Sequence, residues 1–292
     1  MRFVLPLVLL AACTPTDAAD TADTAATTDD GLRTLESCAT TVADDVPAFF
    51  RALYRCVDVS LAGANVVVST VDLPPHTSPY HEETDPNWVA FDDRGGTHFQ
   101  NPNRLAEQAM TVTIPVEPTP KGITITADMV DLEAGTSVEE YPGGNGVSLD
   151  GTVIFAAMAA PGDDIAQEEF TFDTWEAHPQ NTGVYHHHGP TPGPLAVLVD
   201  IGWATTSVPG AAEIEIYGIM CDGTVMLGCT EMDGTEPDVG DFDAQGGHVH
   251  DLVGTDGTAY FTGRYHTHVC DGVYAHRYSP EIQYYEGCET RP

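Results

Sequence analysis

Residues 64–71 read ANVVVSTV. A run this short and rich in β-branched side chains suits a pleated, half-buried surface and predicts a strand. Comparable runs recur at Met110–Val116, Gly122–Met129, Gly151–Met158, Leu195–Val199, Ala212–Ile219 and Tyr260–Tyr265, bounded by Gly, Pro and Asp. The expected fold is mainly β, a single β-rich domain built as a sandwich or distorted barrel with long loops. One short N-terminal helix is expected beside it. Val42, Val46, Phe49, Phe50, Leu53 and Tyr54 recur at steps of three and four, Pro47 falls in the first turn, and Arg51 and Arg55 come late. Between the first two strands lies an irregular stretch, 73–103, carrying His76, His81 and His98; its Trp88, Phe91 and Phe99 favour an ordered loop.

Two stretches carry one histidine pattern. Residues 172–188 read FDTWEAHPQNTGVYHHH and residues 242–268 read FDAQGGHVHDLVGTDGTAYFTGRYHTH. Each gives Phe-Asp, a His five residues after the Asp, and then Tyr-His-x-His. On a strand, residues two apart project to one face, so His-x-His sets two imidazoles side by side as a chelate. A third His beside them completes a three-nitrogen face of the sort that Zn²⁺ or Cu²⁺ favours. The expected ligands are His178, His186 and His188 in one copy and His248, His266 and His268 in the other, forming two sites or pooled into one. His187 and Thr267 should face the opposite way, and His250 should matter less. Asp173 and Asp243 are candidates to ligate directly or to orient an imidazole, and solvated turns suit them equally; Tyr185 and Tyr265 are placed to hydrogen-bond the ligands. The acidic loop DGTEPDVGDFD, with Asp233, Asp238, Asp241 and Asp243, raises Ca²⁺ as a lesser possibility, although its spacing is not that of an EF-hand.

Ten basic residues against 45 acidic ones give a formal charge of −35, so nucleic acid and anionic membrane surfaces are poor partners and cations better ones. The sequence has no GxSxG elbow, P-loop or glycine-rich dinucleotide turn, so hydrolase and nucleotide chemistry lack support.

Arg2 is followed by the apolar run FVLPLVLLAA, too short for a mature membrane span and suited to a secretory signal core. The tetrapeptide Leu10-Ala11-Ala12-Cys13 resembles the bacterial lipobox, which implies cleavage before Cys13, its lipidation, and export to the outer membrane or cell surface. Residues 1–12 are thus expected to be a signal peptide and residues 13–35 an acidic disordered tether. Residues 36–59 form a helical segment with a disulfide, and residues 60–292 the β-rich domain. With Cys13 lipidated, the even number left in an exported chain points to disulfides. Neighbour pairing, Cys38–Cys56, Cys221–Cys229 and Cys270–Cys288, closes the shortest loops.

The tetrapeptides Tyr185-His186-His187-His188 and Tyr265-His266-Thr267-His268 resemble the signature of the YHYH family, a set of exported bacterial proteins. The segment GVSLDGTVIFAAM from Gly146, Ile216–Gly218 with Asp222-Gly223, and Tyr284–Cys288 extend the likeness over roughly residues 60–290. The third motif position, typically Tyr, is His187 or Thr267, while both outer histidines are kept. Where the family tends to have Cys and Gly before the lone His, this chain has Trp175 and Ala177, then Gln245 and Gly247, which leaves Cys270 as the partner for Cys288. The resemblance implies export and a domain boundary and names no reaction. The functional expectation is a surface-tethered lipoprotein that binds copper or zinc without catalysis. The alternatives are a metal-dependent enzyme acting on an extracellular substrate, which would need a catalytic carboxylate near an open coordination position, and an adhesion module with structural histidines.

Overall fold

The computed structural model describes residues 31–130, 139–141, 143–159, 165–270, 272–274 and 277–291. The expected signal peptide, Cys13 and most of the expected tether lie outside them. Ordered contacts begin early: the Arg33 amide donates to Asn87 Oδ1 and its Nε to the Leu73 carbonyl, each at 2.8 Å.

The fold is mainly β. Strand β1 (Thr41–Val42) precedes helix α1 (Ala48–Leu53), and β2 (Asp58–Ala62), β3 (Asn65–Thr70) and β4 (Met110–Pro115) follow. The second part runs β5 (Gly144–Ser148), β6 (Val153–Phe155), α2 (Ile165–Glu168), β7 (Ala177–Pro179), β8 (Tyr185–His187) and α3 (Pro192–Asp200). Then come β9 (Ile216–Met220), β10 (Val225–Leu227), β11 (Gly247–Val253), β12 (Ala259–His268) and β13 (Glu289–Arg291). They form a five-stranded sheet, β1-β2-β3-β4-β13, and an eight-stranded sheet, β11-β12-β10-β9-β5-β6-β8-β7. In β3 the burial alternates, with Val66, Val68 and Thr70 inward, as a period of two requires. These valines join Val112 and Ile114 of β4 and Val147, Ile154, Ile216 and Ile219 of the larger sheet in one apolar cluster. The arrangement is sandwich-like, with the core between the sheets.

The larger sheet is built twice. In each half an antiparallel hairpin, β5–β6 or β9–β10, is joined by parallel pairing to the second strand of another antiparallel hairpin, β7–β8 or β11–β12. The halves meet at β5 and β9, where Gly146 faces Met220, Val147 faces Ile219 and Ser148 faces Gly218. Aligning DGTV at 150–153 with DGTV at 222–225 equates Gly146 with Gly218, Val147 with Ile219 and Ser148 with Met220, so exchanging the two halves maps each facing pair onto another. The register is therefore that of a local two-fold axis through Val147 and Ile219. Both DGTV turns place Gly at positive φ, +83° at Gly151 and +99° at Gly223, a conformation that costs any other residue strain.

Several expectations are corrected. The residues 195–199 form the middle of α3, not a strand: Pro192 and Pro194 suit a helix's first turn, and Leu195, Val197 and Leu198 are buried. A short apolar run looks the same in either state until its partners are known. Gly122–Met129 forms no strand; Ile125 instead packs on Tyr265 and Tyr285, and its carbonyl accepts the Ala244 amide. The helix is shorter than its periodicity suggests, because Val42 pairs in β1 with Val59. Cys38–Cys56 forms as expected, but the other bridges are Cys221–Cys288 and Cys229–Cys270. The parallel pairing of β10 with β12 sets Leu227 opposite His268, which brings Cys229 to Cys270 rather than to Cys221.

Candidate metal centres

His178 lies on β7 opposite His186 on β8, and His188 follows directly after that strand. His248 lies on β11 opposite His266 on β12, and His268 ends β12. Each set gathers one ligand atom per histidine within 4.8 Å. His178 and His248, the histidines beside each His-x-His pair, thus stand on strands themselves. His187 and Thr267 are buried but stand outside both sets.

Five of the six Nδ1 atoms face an acceptor that holds no proton. They are the carbonyls of Val184 (His186), Ala156 (His188), Arg264 (His266) and Gly228 (His268), and Asp241 Oδ1 (His248), at 2.8–3.1 Å. The sixth, on His178, lies 2.6 Å from Thr171 Oγ1, whose own proton goes to the Glu168 carbonyl. Each Nδ1 must therefore donate, and in a neutral ring the lone pair is then on Nε2. Those Nε2 atoms converge: His178 and His186 approach to 3.1 Å, His248 and His268 to 3.2 Å. Two facing lone pairs repel unless a metal ion or a shared proton lies between them.

The supporting contacts are duplicated too. Phe172 stacks on His188 at 5.7 Å and Phe242 on His268 at 5.3 Å. Tyr185 Oη donates to Asp173 Oδ2, and Tyr265 Oη to Asp243 Oδ2, each at 2.7 Å. Asp173 also accepts from Ser78 and the Trp175 amide, and Asp243 from the Gln245 and Gly247 amides. The two aspartates thus fix turns and stand outside the histidine sets, and the two tyrosines bond these aspartates rather than the imidazoles. The ordered loop 73–103 braces the first set: Tyr80 Oη donates to the Thr171 carbonyl, and His76 stacks on Trp175 at 3.9 Å.

The carboxylates at the clusters are others. Glu231 lies 3.2, 3.2 and 3.5 Å from the Nε2 atoms of His248, His266 and His268. Glu168 lies 3.8 Å from His178 and 3.7 Å from His188. Asp241 bridges His248 and His250. Sequence reading missed Glu168 and Glu231 because their distance from the next clustered histidine differs, ten residues to His178 and seventeen to His248. The repeated DGTV was the available signal, since it shows that the repeat begins upstream of both. Among the described residues Asp233, Asp238, Asp241 and Asp243 do not gather into one group; Asp233 and Asp238 accept hydrogen bonds within their own turns.

Burial pushes His178 down to about 3 and His188 down to about 4, and holds His186 well below the ordinary imidazole value. These rings are neutral, as ligands must be. At the second cluster burial opposes charge on His248, but Glu231 and Asp241 outweigh it and raise that ring; burial wins at His266. Burial likewise opposes the charge of Glu231, but the three imidazoles hold its carboxyl far below the usual range. In a tetrahedron with bonds of about 2.05 Å the ligand atoms lie roughly 3.3 Å apart. In the second cluster the His248–His268 separation of 3.2 Å and the approaches of Glu231, through Oε1 to His248 and His268 and through Oε2 to His266 at 3.2–3.5 Å, are close to that edge.

A mainly β domain with two symmetry-related histidine clusters able to hold a metal is the class that fold and site define. Residues 100–235 match the family model described as YHYH protein, the family that the two tetrapeptides resemble. The match includes the first cluster and Glu231 and ends before His248. No curated protein matches the chain, and no solved structure does.

Proposed function

We propose that the protein binds a transition metal, copper or zinc, one ion in each cluster, for sequestration or sensing rather than turnover. The observation that carries this reading is the convergence of six Nε2 lone pairs whose Nδ1 partners are all fixed. Imidazole nitrogen with one carboxylate oxygen is a donor set for Zn²⁺ or Cu²⁺ and a poor one for Ca²⁺ or Mg²⁺, which take oxygen. The sites do not pool. Between β8 and β12 lie β6, β5, β9 and β10, so five strand spacings of about 4.8 Å separate them by roughly 24 Å.

We place the domain outside the cytoplasm, tethered through lipid on Cys13. The disulfides suit an oxidising compartment, the N-terminal apolar run suits export, and the tetrapeptide ending at Cys13 resembles a lipobox. Elemental analysis after gentle purification, followed by titration with Zn²⁺ and Cu²⁺, tests the metal reading. Two ions per chain are expected from the two clusters; metal-free protein that takes up neither ion refutes it.

A further inference from the structure

The two clusters are not equally closed. Glu231 approaches all three imidazoles of its set, whereas Glu168 touches the edge of the other and lies outside the group of His178, His186 and His188. That first group also lines a cavity of about 730 Å³. No ligand of the second cluster lines it or the neighbouring cavity of about 450 Å³. Closed metal sites are structural, and sites with three protein ligands keep a position for an incoming one.

The cavity is preformed. Asn101 and Asn103 both donate through Nδ2 to the Pro179 carbonyl, beside His178, and so hold one wall. Phe155, stacked on His186 at 3.8 Å, with Met158 and Tyr141, gives apolar surface. Among the described residues no Lys or Arg lines it, while Glu140 and Glu168 do. This lining disfavours phosphates and polycarboxylates. Its volume and its mix of apolar surface with a few amides fit a small organic ligand.

Resting on the two-metal reading, we propose that the first cluster is an open centre. Its cavity admits a small uncharged organic ligand, whose nitrogen or oxygen donor completes the coordination of the ion held by His178, His186 and His188. The second cluster, closed by Glu231, takes no such ligand.

The test loads the full chain with Co²⁺ and titrates it with imidazole and, separately, with inorganic phosphate, following the visible spectrum. One equivalent of imidazole per chain is expected to shift part of the absorption, and phosphate to shift none. His266→Ala should keep the imidazole response. Met158→Trp, which fills the cavity, should keep two metal ions and weaken the response at least tenfold. A two-metal protein that ignores imidazole, binds two equivalents or responds unchanged after Met158→Trp overturns the proposal. So does a silent wild type that responds only as Glu168→Ala, because Glu168 would then close the first site as Glu231 closes the second. Absence of any metal uptake would overturn the two-metal reading itself, and this proposal with it.

Discussion

Replacing His186 by Ala separates a ligand role from a packing role most sharply, because His187 beside it supplies a matched control. His186 Nε2 lies 3.1 Å from that of His178, with its Nδ1 committed to the Val184 carbonyl. Four-ligand structural zinc sites bind with about 10–16 kcal/mol, or roughly 2.5–4 kcal/mol per ligand. At about 1.4 kcal/mol per decade, losing one ligand weakens the ion at the first cluster by roughly 10²–10³-fold. The second cluster, several strands away, should keep its affinity. His187 is fully buried and belongs to neither histidine set. His187→Ala should therefore cost folding stability, about 2–3 kcal/mol from the cavity left behind, and leave both metal affinities within about threefold of wild type. Competition against a chromophoric chelator, with urea unfolding measured alongside, reads both quantities. Equal loss of metal from the two variants, or equal weakening of both sites by His186→Ala, refutes the assignment.

Three other outcomes follow from the same geometry. Burial raises Asp173 to about 6, while Ser78 and Tyr185 pull the other way. The native protein thus holds a proton that the unfolded chain has lost above pH about 4, and this group's contribution falls as pH rises from about 4 to 6. Tyr185→Phe removes a donor and raises the folded value further, so urea unfolding should show a loss of about 1.5–3 kcal/mol at pH 7 and a smaller one at pH 4. The Cys229–Cys270 bridge spans 41 residues, a loop whose closure contributes about 4 kcal/mol in the chain-entropy account. Changing both cysteines to Ser should lower stability by up to that amount and, in metal titrations, weaken the second site more than the first, because Glu231 follows Cys229 by two residues. Chelation should lower the melting temperature seen by calorimetry by roughly 5–10 °C per ion, from about 2.7 kcal/mol at a hundredfold excess over Kd and 2–4 °C per kcal/mol; an unchanged melting temperature would count against metal-coupled stability.

The imidazole chelates were legible because strand geometry is local. A period of two places His186 with His188 and His266 with His268 whatever the sheet does around them. Their carboxylate neighbours were not, since Glu168 and Glu231 reach the clusters from connections of different length. The two exchanged disulfides failed for a related reason. Pairing β10 with β12 in parallel needs a long crossover, and nothing near Cys229 in sequence announces that Cys270 will lie beside it. Leu195–Val199 shows a third limit: only burial against the sheets decides between strand and helix for a run of that length. The mainly β class survived these errors because β3, β4, β9 and β12 each carry their own signal.

The internal symmetry explains how the two centres can differ without harm to the fold. The imidazoles sit on β7–β8, with His188 directly after β8, and on β11–β12, strands tied through β6 and β10 to the central β5–β9 pair, so their positions follow the sheet register. The carboxylates sit between, on α2 in one half and in the connection after β10 in the other. A change in those segments moves the carboxylate and leaves the three imidazoles in place. Closing one site while the other keeps a cavity requires no rearrangement of the sheet, only a different path for one connection. The experiment that isolates this point is a graft. Glu168→Asp shortens the side chain and should open the first cluster further, strengthening its response to imidazole. Glu231→Ala should convert the closed site into one that answers imidazole as the first does, giving two equivalents per chain. If Glu231→Ala retains its metal and stays silent to imidazole, the carboxylate is not what closes the second site.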